Sequence, residues 1–163
     1  MRALAEAWLA RRGVTLEAVA ELVLELQAKY VPGLTLEACR ESVERVLEKR
    51  EVQNAIFTGI ALDELAERGR IAQPLGAMLR RDDSLYGIDE VLALSITNVY
   101  GSIGLTNFGY LDKTKPGVIG RINNDTRHVN TFLDDLVSAL AAAAAARIAH
   151  AARDGDRPRS DGL

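Results

Sequence analysis

Apolar residues recur every three or four positions along most of the chain, the spacing that places them on one face of an α-helix. Thr15 and Thr35 each precede a Leu-Glu-Ala run, so the threonine can cap a helix whose first turn carries an acidic residue. Pro32 and Gly33 interrupt the chain between these two starts. The full pattern predicts helices over 3–12, 16–29, 36–57, 62–68, 74–81, 85–100, 116–122 and 132–152, and a glycine-rich loop over 101–109.

The composition also favours a helical bundle. Of the 163 residues, 24 are Ala and 22 are Leu, both strong helix formers, and only 5% are aromatic. The best candidate for a membrane span, 136–146, has 11 residues that are mostly Ala, whereas a span needs about 20 apolar residues. Alanine-rich stretches of this kind are typical of close helix packing in a bundle. We therefore expect an all-α, compact single-domain bundle without transmembrane segments over 1–152, and a disordered polar tail over 153–163.

Charge and cysteine content exclude several classes of function. The net charge of −3 lacks the basic excess of a nucleic-acid-binding protein. Cys39 is the one cysteine of the sequence, which leaves no intrachain disulfide and no cysteine pair for a zinc site. The first residues carry charges at Arg2 and Glu6 and lack the apolar core of a signal peptide, so we expect a cytoplasmic protein.

Carboxylates at the edges of predicted apolar helix faces are the first candidates for chemistry. On the helix over 85–100, Asp89 falls at the rim of the apolar face and Glu90 falls outside it. On the last helix, Asp134 falls beside the core face and Asp135 points away from it. A carboxylate at a buried rim needs a partner, because an unpaired buried charge is costly. Each can be a helix cap or a salt bridge, or else a metal ligand.

A second candidate site is formed by Asp112 and Lys115, which stand three residues apart just before a predicted helix start. One of them can face a metal ion while the other neutralises a phosphate. Oxygen ligands without a cysteine cluster suit a hard cation, with Mg²⁺ as the expected ion. Several carboxylates and one lysine are the groups that metal-assisted hydrolysis of a phosphate ester requires.

Three further basic residues are weaker candidates for contact with a substrate phosphate. Arg121 follows Lys115 by six residues. Lys49 and Arg50 belong to a polar cluster within a predicted long helix, where a subunit contact or a solvated helix face are the alternatives.

Blocks of the sequence resemble the phosphatidylglycerophosphatase A family. In the order of that family, they are an apolar-Asp-Glu block at 88–93, an Asp-x-x-Lys-Pro block at 112–116 and an apolar-Asp-Asp block at 132–139. The soluble branch of the family, found in Gram-positive bacteria, is similar over further blocks at 49–55, 84–90 and 98–104. The resemblance covers nearly the whole chain apart from the tail.

The resemblance implies a Mg²⁺-dependent phosphatase that converts phosphatidylglycerophosphate to phosphatidylglycerol in glycerophospholipid synthesis. The catalytic residues that it carries over are Asp89, Glu90, Asp112, Lys115, Asp134 and Asp135. The metal ligands expected among them are Asp89, Asp112, Asp134 and Asp135. A chain without a membrane span must take its lipid at the surface of the bilayer, or else use a different phosphomonoester. In the first case we expect peripheral contact with the inner face of the membrane.

An alternative function belongs to another class: a soluble helical oligomer that binds a metal or phosphate ligand without turnover, in a regulatory or structural role. In either case we expect a homo-oligomer, formed through the alanine-rich or the N-terminal helices. Convergence of Asp89, Asp112 and Asp134 on one point beside Lys115 favours a site, whereas their dispersal over the surface would exclude both site hypotheses.

Overall fold

A computed structural model of the protein describes residues 1–155, and residues 156–163, most of the predicted tail, lie outside the described part. Residues 153–155 were predicted to belong to the tail but continue the last helix. The described chain forms nine α-helices and a short 3₁₀ helix, Asn98–Tyr100. The α-helices are α1 (Arg2–Arg11), α2 (Leu16–Gln27), α3 (Leu36–Leu47), α4 (Arg50–Glu67), α5 (Leu75–Arg81), α6 (Ile88–Thr97), α7 (Gly101–Thr114), α8 (Gly117–Asn123) and α9 (Leu133–Gly155).

Helix α9 forms the centre of the bundle and packs against α2, α3, α4, α6, α7 and α8. Its alanines at 139 and 141–146 are completely buried, and their small side chains allow the neighbouring helices to approach closely. Within this contact, Ser42 Oγ of α3 donates to the Ala144 carbonyl at 2.9 Å. The prediction that the alanine run serves helix packing is confirmed. Because the run packs inside one chain, it offers no exposed surface to a second subunit, and oligomerisation stays a prediction for the N-terminal helix.

The predicted threonine caps are present. Thr15 Oγ1 accepts a hydrogen bond from the backbone N–H of Ala18, and Thr35 Oγ1 accepts one from Ala38, each at 3.2 Å. In both helices a side-chain oxygen satisfies an N–H group that has no partner within the helix. The local sequence therefore determines where α2 and α3 begin.

The single helix predicted over 36–57 is wrong, because the chain turns between α3 and α4 at Glu48 and Lys49. The turn is closed by the buried side chain of Gln53, whose Nε2 donates to the Leu47 carbonyl at 2.7 Å. This bond satisfies a carbonyl at the end of α3, so the helix can stop there without leaving a buried acceptor unpaired. Helix α4 then continues to Glu67 and includes the segment predicted as a separate helix over 62–68.

The glycine-rich segment predicted as a loop over 101–109 is instead most of helix α7. A Cβ atom at Gly104 would lie 3.2 Å from the Thr97 carbonyl oxygen, so the glycine permits close packing against the preceding turn. On its inner side α7 buries Phe108 and Leu111 against the bundle. Packing thus overrides the low helix propensity of glycine.

Helix α6 begins at Ile88, three residues later than predicted. Leu85 lies in the preceding loop, has a left-handed backbone with φ of 63°, and is completely exposed rather than on the apolar face. Gly87, with φ of 79°, is the N-cap residue of α6. The loop over 82–87 forms a wall of the cavity described below.

By length and composition alone, Leu133–Arg153 of α9 could cross a membrane. It is the central helix of the bundle, however, and 67% of its most apolar 18-residue stretch is buried within the protein. Over residues 1–155 the chain is an all-α bundle without a clear transmembrane segment, as predicted.

Candidate active site

Four segments of the fold meet around one polar cavity of about 190 Å³. The loop between α5 and α6 forms one wall, and the start of α6, the end of α7 and the start of α9 contribute the others. All six residues of the three sequence motifs line this cavity: Asp89, Glu90, Asp112, Lys115, Asp134 and Asp135. The motifs therefore converge in space although they are far apart in the sequence.

Lys115 is the basic residue of the cavity, and its ammonium group lies among three carboxylates. Nζ is 2.6 Å from Asp112 Oδ1, 2.8 Å from Asp134 Oδ2 and 3.7 Å from Asp135 Oδ1. It donates hydrogen bonds to the first two. Residues from two different helices are thereby linked through one charge.

The Asp-x-x-Lys-Pro block forms the end of one helix and the start of the next. Lys115 ends α7 in a left-handed conformation with φ of 46°, and its N–H donates to the Leu111 carbonyl at 2.8 Å. Pro116 cannot continue α7, since it has no N–H to donate, and it precedes α8 in an extended conformation. The last turn of α7 carries Asp112, so the spacing in the sequence brings its carboxylate to the lysine ammonium.

Asp134 and Asp135 lie in the first turn of α9, and both are buried, with 5% and 4% of their surface exposed. Asp134 Oδ1 accepts a hydrogen bond from the Asp135 N–H at 3.0 Å. The prediction that Asp135 points away from the core is wrong, because other helices surround α9 and leave it no fully solvated face.

Burial and mutual repulsion dominate the electrostatics of the cavity. Burial and the neighbouring Asp134 raise the pKa of Asp135 to about 8. Burial also raises the pKa of Asp134, although Lys115 opposes this effect. Burial and the charge of Asp89 raise the pKa of Asp82. For Lys115, burial lowers the pKa but the carboxylates of Asp134 and Asp112 outweigh it, so its pKa lies above the usual range.

The chemistry of the lining groups fits a hard divalent cation such as Mg²⁺. Seven carboxyl groups and one ammonium group line the cavity, an excess of negative charge that a cation bound by oxygen would offset. Within residues 1–155, however, no three His, Cys, Asp or Glu side chains form a group that could hold a metal ion as they stand. Lys115 lies between the carboxylates instead, so a metal ion would compete with its ammonium group for the same oxygens.

Of the candidates for contact with a substrate phosphate, Lys115 lines this cavity, and the three weaker candidates lie outside it. Lys49 and Arg50 stand at the start of α4 and do not line the cavity, and Lys49 Nζ lies 5.6 Å from the centre of the Tyr100 ring. Arg121 lines a different cavity of about 440 Å³. The structure therefore does not bring these three residues to the cavity that holds Lys115.

Sequence reasoning missed three acidic residues in or beside the site. Asp82 and Asp83 line the cavity, and neither was among the residues predicted for the site. Asp63 is completely buried in α4 behind the start of α9. A signal for it exists in the sequence, because Asp63 follows Ile56 and Ile60 at helical spacing on the apolar face of α4.

Comparison with known proteins gives a consistent assignment. The model of the family described as phosphatidylglycerophosphatase A matches residues 6–150. Protein YutG of Bacillus subtilis is 57% identical over 154 residues, which is 94% of this chain and 93% of that protein. A solved structure from Bacillus stearothermophilus, described as a protein of unknown function, is 60% identical, with a TM-score of 0.91 and coverage of 93% of this chain and 95% of that one. The low temperature requirement C protein from Listeria monocytogenes is 58% identical, with a TM-score of 0.91 and coverage of 94% and 97%. The chain therefore belongs to the phosphatidylglycerophosphatase A family.

Proposed function

We propose that the protein is a Mg²⁺-dependent phosphatase that hydrolyses the phosphomonoester of phosphatidylglycerophosphate to give phosphatidylglycerol. Family membership supports the class of substrate, and the convergence of the three motifs supports the chemistry. The observation that carries the proposal is the contact of Lys115 with Asp112, Asp134 and Asp135 in a cavity lined by further carboxylates.

In the proposed reaction the oxygen of a water molecule attacks the phosphorus atom, and the ester bond to the glycerol oxygen breaks. Lys115 binds the phosphate oxygens and offsets the negative charge that builds on them in the transition state. A carboxylate of the cavity takes one proton from the attacking water and releases it to solvent, and the departing glycerol oxygen takes one proton from solvent. The products are inorganic phosphate and phosphatidylglycerol.

Asp89, Asp112, Asp134 and Asp135 are the proposed ligands for Mg²⁺. When bound, the ion polarises the phosphoryl oxygens and lowers the pKa of a bound water molecule. The carboxylates also keep the cavity negative, which opposes the entry of an anionic phosphate. Lys115 would offset this charge, and so would a cation held by the carboxylates.

Phosphate release from phosphatidylglycerophosphate in mixed micelles, measured with and without Mg²⁺, tests the proposal. We expect release that depends on Mg²⁺, and a loss of roughly 100-fold or more in Asp89→Asn and in Asp134→Asn. Glu41→Gln is the matched control, since Glu41 is an exposed carboxylate on α3 that pairs with Arg45 at 3.8 Å. Wild-type protein that releases no phosphate with Mg²⁺ present would overturn the proposal.

The alternative function, binding without turnover, predicts a different result. Tight binding of phosphomonoesters or Mg²⁺ by calorimetry, with no phosphate released across a panel of phosphomonoesters, would establish it in place of the phosphatase.

Exposed apolar side chains beside the cavity support the proposal that the protein acts at a membrane surface. Leu85 is a completely exposed residue of the cavity wall, and Ile88 and Val91 of α6 are 54% and 60% exposed. We expect Leu85→Ser combined with Val91→Ser to reduce co-sedimentation with phospholipid vesicles. The control is Leu4→Ser, which removes an apolar side chain of α1 that is 47% exposed. Equal co-sedimentation of all variants would exclude this face as the contact.

A further inference from the structure

The segment that leads into α9 is tied to neighbouring helices by hydrogen bonds. Residues 129–133 cross from α8 to α9 and end next to Asp134 and Asp135. Thr131 Oγ1 donates to the Leu79 carbonyl at 2.7 Å. Asn130 Nδ2 donates to the Ile122 carbonyl at 3.0 Å. The path of the chain into the site is thus tied to α5 and α8.

Asp63 of α4 makes the contacts closest to the site. Its carboxyl oxygens accept hydrogen bonds from the backbone N–H of Phe132 at 3.1 Å and of Leu133 at 3.0 Å. These N–H groups stand at the start of α9, where a helix has donors without partners inside the helix. Asp63 is completely buried, and it lies 69 residues before Phe132 in the sequence. It therefore caps α9 from a different helix.

Glu67, one turn further along α4, binds Val129, which lies earlier in the same segment. Its Oε1 accepts from the Val129 N–H at 2.9 Å and from Arg12 Nη2 at 2.6 Å. Arg12 Nη2 also donates to the Val129 carbonyl at 2.7 Å and to Asn130 Oδ1 at 2.9 Å. The Arg12 side chain is only 6% exposed, so this ion pair is shielded from solvent. Two side chains of α4, Asp63 and Glu67, thus bind the segment through hydrogen bonds.

We propose that Asp63 is a positioning residue of the active site, which fixes the first turn of α9 and so places the carboxylates of Asp134 and Asp135 against Lys115. This role rests on the proposed function. The geometry favours it over a purely structural cap for a specific reason: the two N–H groups that Asp63 holds belong to the two residues directly before Asp134. A change of a few tenths of an ångström there moves both carboxylates relative to a lysine on another helix, and catalytic groups tolerate little such displacement.

Asp63→Asn and Asp63→Ala form a graded test. The Asn variant keeps one oxygen that can accept from an N–H, whereas the Ala variant removes both acceptors. At a temperature where every variant is fully folded, we expect kcat to fall roughly 10- to 100-fold in Asp63→Ala and less in Asp63→Asn, with KM changing by less than about threefold. Hydrogen exchange of the amides of residues 132–135 should accelerate in the same order.

Glu64→Ala is the matched control. Glu64 stands next to Asp63 on α4, but its carboxylate pairs with Arg11 at 2.8 Å and with Arg68, away from α9. We expect this variant to keep both the wild-type kcat and the wild-type exchange of residues 132–135. If Asp63→Ala does not fold, the comparison of Asp63→Asn with Glu64→Ala carries the test.

The result that would overturn the proposal is a folded Asp63 variant with unchanged kcat, or with exchange of residues 132–135 equal to that of Glu64→Ala. A wild-type protein that releases no phosphate would overturn the phosphatase and not this inference. In that case the exchange measurement decides alone: faster exchange supports positioning of the two carboxylates, and unchanged exchange contradicts it.

Discussion

Among single residues, Lys115 is the one that links the carboxylates of the site. It lies within 2.6–3.7 Å of carboxylates from α7 and α9, and it is the one Lys or Arg among the lining residues of the cavity. Its raised pKa means that it stays charged at neutral pH. The same charge that can bind phosphate also holds the carboxylates together when no other cation does so.

Lys115→Met removes this charge and keeps most of the length of the side chain. We expect phosphate release to fall roughly 100-fold or more, since no other basic side chain of the described residues lines the cavity. The affinity for Mg²⁺ should rise, because an ammonium group no longer competes for the carboxylate oxygens. Calorimetric titration with Mg²⁺ and a phosphate-release assay measure the two effects.

Lys113→Met is the control for that prediction, as Lys113 is an exposed residue two positions earlier that does not line the cavity. Weaker Mg²⁺ binding in Lys115→Met than in the wild-type protein would contradict the competition between the lysine and the metal ion.

Leu85 combines an unfavourable backbone with complete exposure. Its left-handed φ of 63° is disfavoured for a side chain of this type, and the side chain gains nothing from burial. We expect Leu85→Asn to raise the free energy of unfolding by about 0.5–1 kcal/mol, since Asn tolerates this conformation better. Urea denaturation measures the change, and a loss of stability would show that Leu85 makes a stabilising contact.

At the scale of elements, the crossing of α4 over α9 is the contact on which the site depends, because α4 carries Asp63 and α9 carries Asp134. The helices meet at Gly59. A Cβ atom there would overlap Leu136 Cδ1 and would lie 2.9 Å from Phe132 Cβ. The glycine therefore permits an approach that any side chain would prevent.

Gly59→Ala is expected to lower the free energy of unfolding by about 1–3 kcal/mol, because overpacking outweighs the better helix propensity of Ala. The matched change is Gly109→Ala in α7, where an added Cβ would meet nothing within 4 Å. There we expect a gain of about 0.5–1 kcal/mol from propensity alone. Thermal or urea denaturation of both variants checks the opposite signs, and a stabilised Gly59→Ala would show that the helices can separate without cost.

At the scale of the whole molecule, the buried carboxylates make stability depend on pH. Burial raises the pKa of Asp63 and of Asp135 from 3.8 to about 8. Below about pH 4 these groups are protonated in both the folded and the unfolded chain. Between about pH 4 and 8 the unfolded chain loses their protons while the folded protein keeps them, so rising pH favours unfolding.

We therefore expect the free energy of unfolding to fall from pH 5 to pH 8, with each such group contributing roughly 1 kcal/mol per pH unit. Asp135→Asn should make the fall less steep, and added Mg²⁺ should do the same, since a cation favours the ionised form. Urea denaturation at several pH values measures the slope. Equal slopes for the wild-type protein and Asp135→Asn would contradict the raised pKa of Asp135, and Glu41→Gln serves as the surface control.

Much of the fold could be predicted because its determinants are local. The caps at Thr15 and Thr35, the break at Pro32-Gly33 and the alanine packing of α9 follow from neighbouring residues. The division between α3 and α4 could not be predicted, since it depends on a buried contact from Gln53 back to Leu47. The helix over the glycine-rich segment likewise forms because α9 and the 3₁₀ helix pack against it.

The class of fold and the residue types of the site follow from the amino-acid sequence alone: abundant Ala and Leu at helical spacing, and three acidic motifs with one lysine. These are properties of composition and of short spacings, which do not depend on how the helices are arranged. It takes the packing of the helices to bring the motifs to one cavity, to add Asp82 to it and to place Asp63 against the start of α9. The reason is physical: a carboxylate acquires its partners and its pKa from the groups that packing brings near, and those groups come from distant parts of the chain.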